Sequence, residues 1–308
     1  MKARTLLVTG ATGLLGANLV VAAAPRWRVI AVARTGQIVL PGVVTAACDI
    51  LQRDAVVRLI REQRPDAVVH LAAETRVDWC EDHPAEATAL NVGGTASVLA
   101  AAADTRCRVV YMSTDSVFDG HRGFYGEADT TAPVNVYAET KLQAERLVLG
   151  ADRGHAVLRS NLFGWNARPV VSLGEWILDV LRDGKDVPGF TDCFFSPLST
   201  RTLAARLLDA VEQELHGLFH AGTSDGVSKF EFARMIARGC GYDPARVQSR
   251  EAANHVFRAR RPLNTSLDSR KLAAVLQVDA PSASEEVAGF CEQWRTGYPA
   301  TLKSLYIR

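Results

Sequence analysis

Tyr137 and Lys141 stand four residues apart in Val136-Tyr137-Ala138-Glu139-Thr140-Lys141, a spacing that puts two side chains on one face of a helix. A phenol and an ammonium held together suit reduction of a carbonyl by hydride. The developing alkoxide needs a proton, and a nearby ammonium lowers the phenol's ordinary pKa of about 10 so that it can give one up. The same ammonium can bond ribose hydroxyls. Such a pair also occurs on exposed helix faces, so its meaning depends on its surroundings.

Thr9-Gly10-Ala11-Thr12-Gly13-Leu14-Leu15-Gly16 follows an apolar strand and opens an apolar helix, the context in which a glycine turn cradles a dinucleotide. Gly10 can take the tight turn, Gly13 lets the backbone approach a pyrophosphate, and Gly16 lets helix and sheet pack closely. From Thr12 through Leu14 and Leu15 the helix start offers N–H donors and a positive dipole end. The second strand ends Ala31-Val32-Ala33-Arg34 with no acid at its tip. An acid there holds the 2′-hydroxyl of NAD and an arginine accommodates the 2′-phosphate of NADP, so Arg34 predicts NADPH over NADH. The alternative for Arg34 is a solvated surface residue.

Short apolar runs alternate with Ala-rich amphipathic segments through the first 160 or so residues, the rhythm of βαβ units. Strands are expected at Thr5–Thr9, Arg28–Ala33, Val43–Ala46, Ala67–Leu71, Arg108–Met112, Ala156–Arg159 and Gly217–Ala221. Helices are expected at Leu14–Ala24, Arg53–Arg64, Ala85–Ala103 and Val136–Leu149. The fold class is therefore α/β, a Rossmann-type doubly wound parallel sheet. Residues 1–163 and 199–227 form the expected dinucleotide domain. Residues 164–198 and 228–308, richer in Gly, Pro and mixed charge, form a smaller mixed α/β substrate lobe.

With 48% hydrophobic and 22% charged residues among 308, the chain can bury a proper core. Its 35 basic residues balance 34 acidic ones, so no overall field favours nucleic acid or an anionic membrane, and an anionic ligand must be held locally. Met1-Lys2-Ala3-Arg4 precedes too short an apolar run for a signal peptide, and a cytoplasmic location is expected. The six cysteines form no C-x-x-C pair and no cluster with metal-ligand spacing. No metal is expected, and packing is the expected role of the thiols.

The G-x-x-G-x-x-G turn resembles that of the extended short-chain dehydrogenase/reductases. The resemblance implies that Tyr137 and Lys141 are catalytic, with Thr114 at the end of Tyr111-Met112-Ser113-Thr114 as their third partner, its hydroxyl donating to the substrate carbonyl. It implies adenine-side contacts for Asp49 and Ile50. His70-Leu71-Ala72-Ala73 resembles a small-residue strand end beneath the cofactor, although Ala72 and Ala73 can also be small for packing alone.

More closely, the chain is similar to the dTDP-4-dehydrorhamnose reductase family over nearly its whole length. The matching stretches are Thr75-Arg76-Val77-Asp78-Trp79-Cys80-Glu81, Ser113 to Gly120, Pro133-Val134-Asn135-Val136-Tyr137, and Arg261-Pro262-Leu263-Asn264-Thr265-Ser266-Leu267-Asp268. This implies NADPH-dependent reduction of the keto group of a nucleotide-linked 4-keto-6-deoxysugar. Val77, Asp78, Ser113 and Phe118 would lie near the sugar, with Arg261 anchoring the substrate pyrophosphate beside Arg258 and Arg260. Asp78 can instead cap a helix and Phe118 can be core. The related 4,6-dehydratases resemble Thr-Asp-Glu-Val at this strand end. Ser116 replaces that Glu here, so the acid pair for water elimination is missing. Glu74, where the family often has an aromatic residue, and the bulky Trp165 and Trp176 are departures bearing on the substrate. The resemblance leaves two alternatives, a reductase of a non-sugar ketone or aldehyde and a non-catalytic NADP-binding regulatory subunit. Dimers are frequent in this superfamily, so a homodimer is compatible with it.

Overall fold

Strands that are apolar at every position, such as Leu6-Leu7-Val8, can hide both faces only in a sheet covered on both sides. The structure, a computed structural model, describes residues 4–151 and 154–308. Residues 1–3, on which the reading of the leader rests, lie outside the described residues. Eight strands form the central sheet: β1 (Thr5–Thr9), β2 (Arg28–Ala33), β3 (Val43–Ala47), β4 (Ala67–His70), β5 (Arg108–Thr114), β6 (Ala156–Phe163), β7 (Pro197–Ser199) and β8 (Gly217–Ala221). All pair in parallel, in the order β3-β2-β1-β4-β5-β6. The outer edge of β6 is shared, Ala156–Ser160 pairing with β8 and Asn161–Phe163 with β7.

Alternation along each strand divides the core. Leu6 and Val8 join a large cluster on one face, while Leu7, Ile30 and Val68 join a second cluster on the other. The chain reverses direction across the sheet between β1 and β4, and there the carboxyl ends of the strands open a crevice.

Strands β5 and β6 run further than expected, through Thr114 and Phe163. The expected helix Ala85–Ala103 is three pieces, Pro84–Thr88, a π-helical turn Ala89–Gly93 and Gly94–Thr105. The turn presents Asn91, whose Oδ1 accepts from the Glu74 N–H at 2.8 Å and whose Nδ2 donates to Glu74 O and to Thr140 Oγ1. A buried tertiary bond of this kind widens a helix locally, and periodicity does not register it.

The smaller lobe is built on the helices Leu173–Arg182, Lys229–Gly239 and Ala283–Arg295, with Val187–Phe190 paired in parallel to Val247–Arg250. Trp165 is core there, stacked on Phe290 with ring centroids 4.1 Å apart. Cys240 and Cys291, distant in sequence, meet with their Sγ atoms 2.6 Å apart. The end of the chain departs from the expected division: Tyr306–Ile307 pairs antiparallel with Gln37–Ile38 beside the main sheet. No helix among the described residues is long and apolar enough to cross a membrane.

Candidate active site

The glycine turn is shaped by close approaches. Gly10 sits at φ +68°, and a Cβ there would lie 2.8 Å from the Ala72 nitrogen. At Gly16 a Cβ would lie 2.1 Å from the Gly10 carbonyl oxygen, so Gly16 lets the helix pack on the turn itself rather than on the sheet, a correction to the expected contact. The helix Leu14–Ala23 begins at Gly13 with no side-chain cap, which leaves its first-turn N–H groups available to an anion.

Beneath the turn, Thr9 Oγ1 accepts the N–H groups of Leu71 and Ala72 at 3.1 and 3.2 Å. Its proton is left for His70 Nδ1, 2.7 Å away. His70 Nε2–H then donates to Thr95 Oγ1 at 3.1 Å, and Thr95 donates to Asn91 O at 2.6 Å. Every link fits only a neutral imidazole. Burial, with the Lys141 charge adding to it, pushes the His70 pKa down to about 3. The chain ties β1 to β4 at the point where the crevice opens.

The crevice holds about 840 Å³, within the range of small-molecule sites. Arg34, Asp49 and Ile50 line one end, Gly10, Thr12, Gly13, Leu14 and Leu15 the middle with Leu71, Ala72 and Ala73, and Thr114, Tyr137 and Lys141 the other end. Residues expected from six separate stretches of sequence are thus brought to one cavity. Its length, its glycine floor and its uncapped helix fit an extended dinucleotide.

The helix Val136–Leu149 carries Tyr137 and Lys141. Asn135 caps it, accepting the Ala138 N–H at 2.9 Å. Lys141 is buried, its Nζ donating to Met112 O at 2.7 Å and lying 4.2 Å from the centroid of the Tyr111 ring. Burial pulls its pKa down to about 7 against the opposing charge of Glu145. Tyr137 departs from expectation. Burial raises its pKa above the ordinary value, with Asp115 adding to that and the neighbouring Thr114 hydroxyl acting against it. Lys141 is turned to a carbonyl and does not offset the cost of burying a phenolate, so the phenol is held neutral.

At the end of β5, Asp115 is wholly buried and organises the strand terminus. It accepts from Asn161 Nδ2 at 2.9 Å, from Thr114 Oγ1 at 3.2 Å, and from Thr265 of the smaller lobe. Burial raises its pKa. Asn161 and the Asp115 network were not singled out from sequence, although an acid directly after Thr114 was a visible signal.

The expected substrate residues are placed less uniformly. Ser113 lines the crevice, but its hydroxyl donates to Glu145, which is locked to Arg159 in a buried ion pair with Nη2 to Oε2 at 2.6 Å. Phe118 is a correction: it is fully buried and stacked on Tyr125 at 4.1 Å, so it is core and presents no face to a ligand. Val77 and Asp78 open a short helix outside the crevice lining. Asp78 neither caps that helix nor stands free, accepting from the Ala259 N–H at 3.2 Å and pairing with Arg261 at 2.8 Å. Arg258 pairs with Asp82. Thus Arg261, expected to anchor a pyrophosphate, and its neighbour Arg258 instead fasten the smaller lobe to the Val77–Asp82 helix. Glu74 lines the crevice with its carboxylate bonded to Arg76.

The RmlD substrate binding domain family model matches residues 4–296. Over 286 residues the chain is 30% identical to the probable low-salt glycan biosynthesis reductase Agl14 of Haloferax volcanii, covering 91% of this chain and 95% of that one. It is 31% identical to the dTDP-4-dehydrorhamnose reductase of Sinorhizobium fredii, covering 91% and 94%. It is also 31% identical to methionine adenosyltransferase 2 subunit beta of Danio rerio, covering 87% and 84%. Among solved structures, dTDP-4-dehydrorhamnose reductase from Bacillus anthracis in complex with NADP is similar with a TM-score of 0.84 at 23% identity, covering 95% of this chain and all of that one, a likeness of fold. The chain belongs to the RmlD substrate binding domain family.

Proposed function

We propose that this member of the RmlD substrate binding domain family is an NADPH-dependent reductase acting on the keto group of a nucleotide-linked 4-keto-6-deoxysugar. The observation that carries the reading is the convergence of Thr114, Tyr137 and Lys141 at the far end of a crevice whose middle is a glycine turn. The names of relatives 31–32% identical to this chain, dTDP-4-dehydrorhamnose reductases, support the substrate class.

When bound, the dihydronicotinamide supplies the hydride. Thr114 donates its hydroxyl to Asp115 in the free protein, and by turning that proton to the substrate carbonyl oxygen it would polarise it. Tyr137, neutral in its buried setting, then passes its phenolic proton to that oxygen as negative charge develops there. The phenolate this leaves needs a cation beside it, which Lys141, four residues along the same helix face, would supply by turning its ammonium from Met112 O towards the ribose hydroxyls and the phenol. The His70 chain stays neutral throughout and keeps the floor of the site in register.

Tyr137→Phe tests this reading. With dTDP-4-keto-6-deoxyglucose or its epimer, followed by loss of NADPH absorbance, the variant should turn over about 10²–10⁴-fold more slowly while binding NADPH normally. Equal turnover removes Tyr137 from the chemistry. Wild-type protein that binds NADPH but reduces neither sugar nucleotide refutes the substrate class. The relationship to a methionine adenosyltransferase subunit makes a regulatory role the second reading, which that same outcome favours.

A further inference from the structure

The smaller lobe sends an arch of chain over the crevice between β6 and the helix Leu173–Arg182. One foot stands on the first helix, where Asn18 Nδ2 donates to Trp165 O at 2.9 Å and to Leu14 O at 2.7 Å. The other foot is Ser172, which caps its own helix and donates its hydroxyl back to Gly164 O. Gly164 is obligatory, since a Cβ there would lie 2.1 Å from Thr200 Oγ1. Asn166 is held by Glu175 through its N–H and its Nδ2. Both feet are rigid, and the arch is fixed beside the turn of helix that begins at Leu14.

Arg168 occupies the crown and lines the crevice. Its Nε is buried with no hydrogen-bond partner, and it makes no ion pair, among the described residues. A buried guanidinium nitrogen without an acceptor is unfavourable unless a ligand supplies one. Four cationic side chains line this cavity: Arg34, Arg76, Lys141 and Arg168. Arg76 is bound to Glu74, Lys141 is turned to Met112 O, and Arg34, at the tip of β2 beside the turn, is the residue assigned to the 2′-phosphate of the adenosine ribose. Arg168 is free of a carboxylate and rides on an arch anchored to the first helix through Asn18 and Trp165 O, so it is the cation left to meet the diphosphate. A diphosphate there carries two negative charges, of which the helix dipole offsets about half of one.

We infer that Arg168 is a cofactor-binding residue that closes the site from the substrate lobe by pairing with the diphosphate of the dinucleotide. Val170 and Val171, 52% and 56% exposed on the same arch, form an apolar rim beside it. The inference rests on the dinucleotide reading of the crevice but not on the identity of the sugar. It makes the cofactor a bridge between the two lobes.

The test measures binding directly, by quenching of intrinsic fluorescence on titration with NADPH and separately with NADH. Arg168→Met should weaken both by the same factor, about tenfold, because the diphosphate is common to both, and Arg168→Lys should recover part of the loss. The deficit should shrink at high salt. Arg34→Ala, by contrast, should weaken NADPH alone. Unchanged affinity in Arg168→Met overturns the inference, as does a loss confined to NADPH or to the KM of the sugar nucleotide. If Arg168→Met does not fold, Arg168→Gln serves in its place, with thermal melting of the ligand-free protein as the check. Failure of the reductase reading shows up separately, as wild-type protein that binds NADPH and reduces no sugar nucleotide.

Discussion

Lys141 makes cofactor affinity a function of pH. In the free protein burial holds its pKa near 7, so the ammonium proposed to meet the ribose is fully present only below that value. Binding adds two acceptor hydroxyls beside the amine and raises its pKa. The affinity due to Lys141 is therefore retained in acid and lost as pH climbs above 7. If the ammonium form alone binds, the apparent Kd scales as one plus the ratio of neutral to charged amine, roughly 50-fold between pH 7 and 9. At pH 8 about nine-tenths of free Lys141 is neutral, and close to one proton is taken up per NADPH bound. Fluorescence titration across pH 7–9, above the range where the 2′-phosphate itself titrates, gives the Kd. Calorimetry in two buffers of different ionisation enthalpy gives the proton. Lys141→Met should bind more weakly at pH 7 and lose the slope. A wild-type Kd that stays constant over this range, or a slope that survives in Lys141→Met, would refute the argument.

Two further outcomes concern the floor of the site. The folded His70 pKa near 3 lies below the unfolded value of about 6.5, so His70 stabilises the fold fully above 6.5 and loses about 1.4 kcal/mol per unit as pH falls towards 3. Urea denaturation at pH 7 and pH 5 should show about 2 kcal/mol more loss in wild type than in His70→Asn, and equal losses would count against a neutral buried imidazole. Gly16→Ala forces a Cβ against the Gly10 carbonyl oxygen and should cost about 1–3 kcal/mol, lowering the melting temperature and weakening NADPH binding together; an unchanged melt would mean that the turn can shift freely.

The sheet was legible because its signals are local. The apolar runs of β1 and β2 and the helix carrying Tyr137 and Lys141 end where the residues themselves indicate. The crevice residues at the glycine turn, Arg34 and Asp49-Ile50 follow from parallel topology once the strands are placed. What escaped the sequence depends on contacts made across the fold. Phe118 follows the catalytic strand closely enough to suggest a ligand contact, yet which way it points is settled by Tyr125 and Leu267. Arg261 has the charge for a phosphate, but Asp78 lies 183 positions away in the chain and claims it. The π-turn at Asn91 answers to Glu74 and Thr140, and nothing in its own periodicity reports them. Arg168 sits in an irregular loop where spacing carries no information, and only its lack of a partner singles it out.

The join between the lobes bears on how such proteins can be recombined. Asn135 caps the helix of Tyr137 and Lys141, and its Nδ2 donates to the Arg260 carbonyl at 2.9 Å. Asp115 holds both Thr114 and Thr265. The seam therefore runs through the supports of the proposed catalytic residues, not through a neutral linker. A chimera that takes its sheet from one relative and its substrate lobe from another must carry Asn135, Asp115, Thr265 and the 258–261 segment as a set. Otherwise it inherits a pocket of new specificity over a proton donor that is out of register.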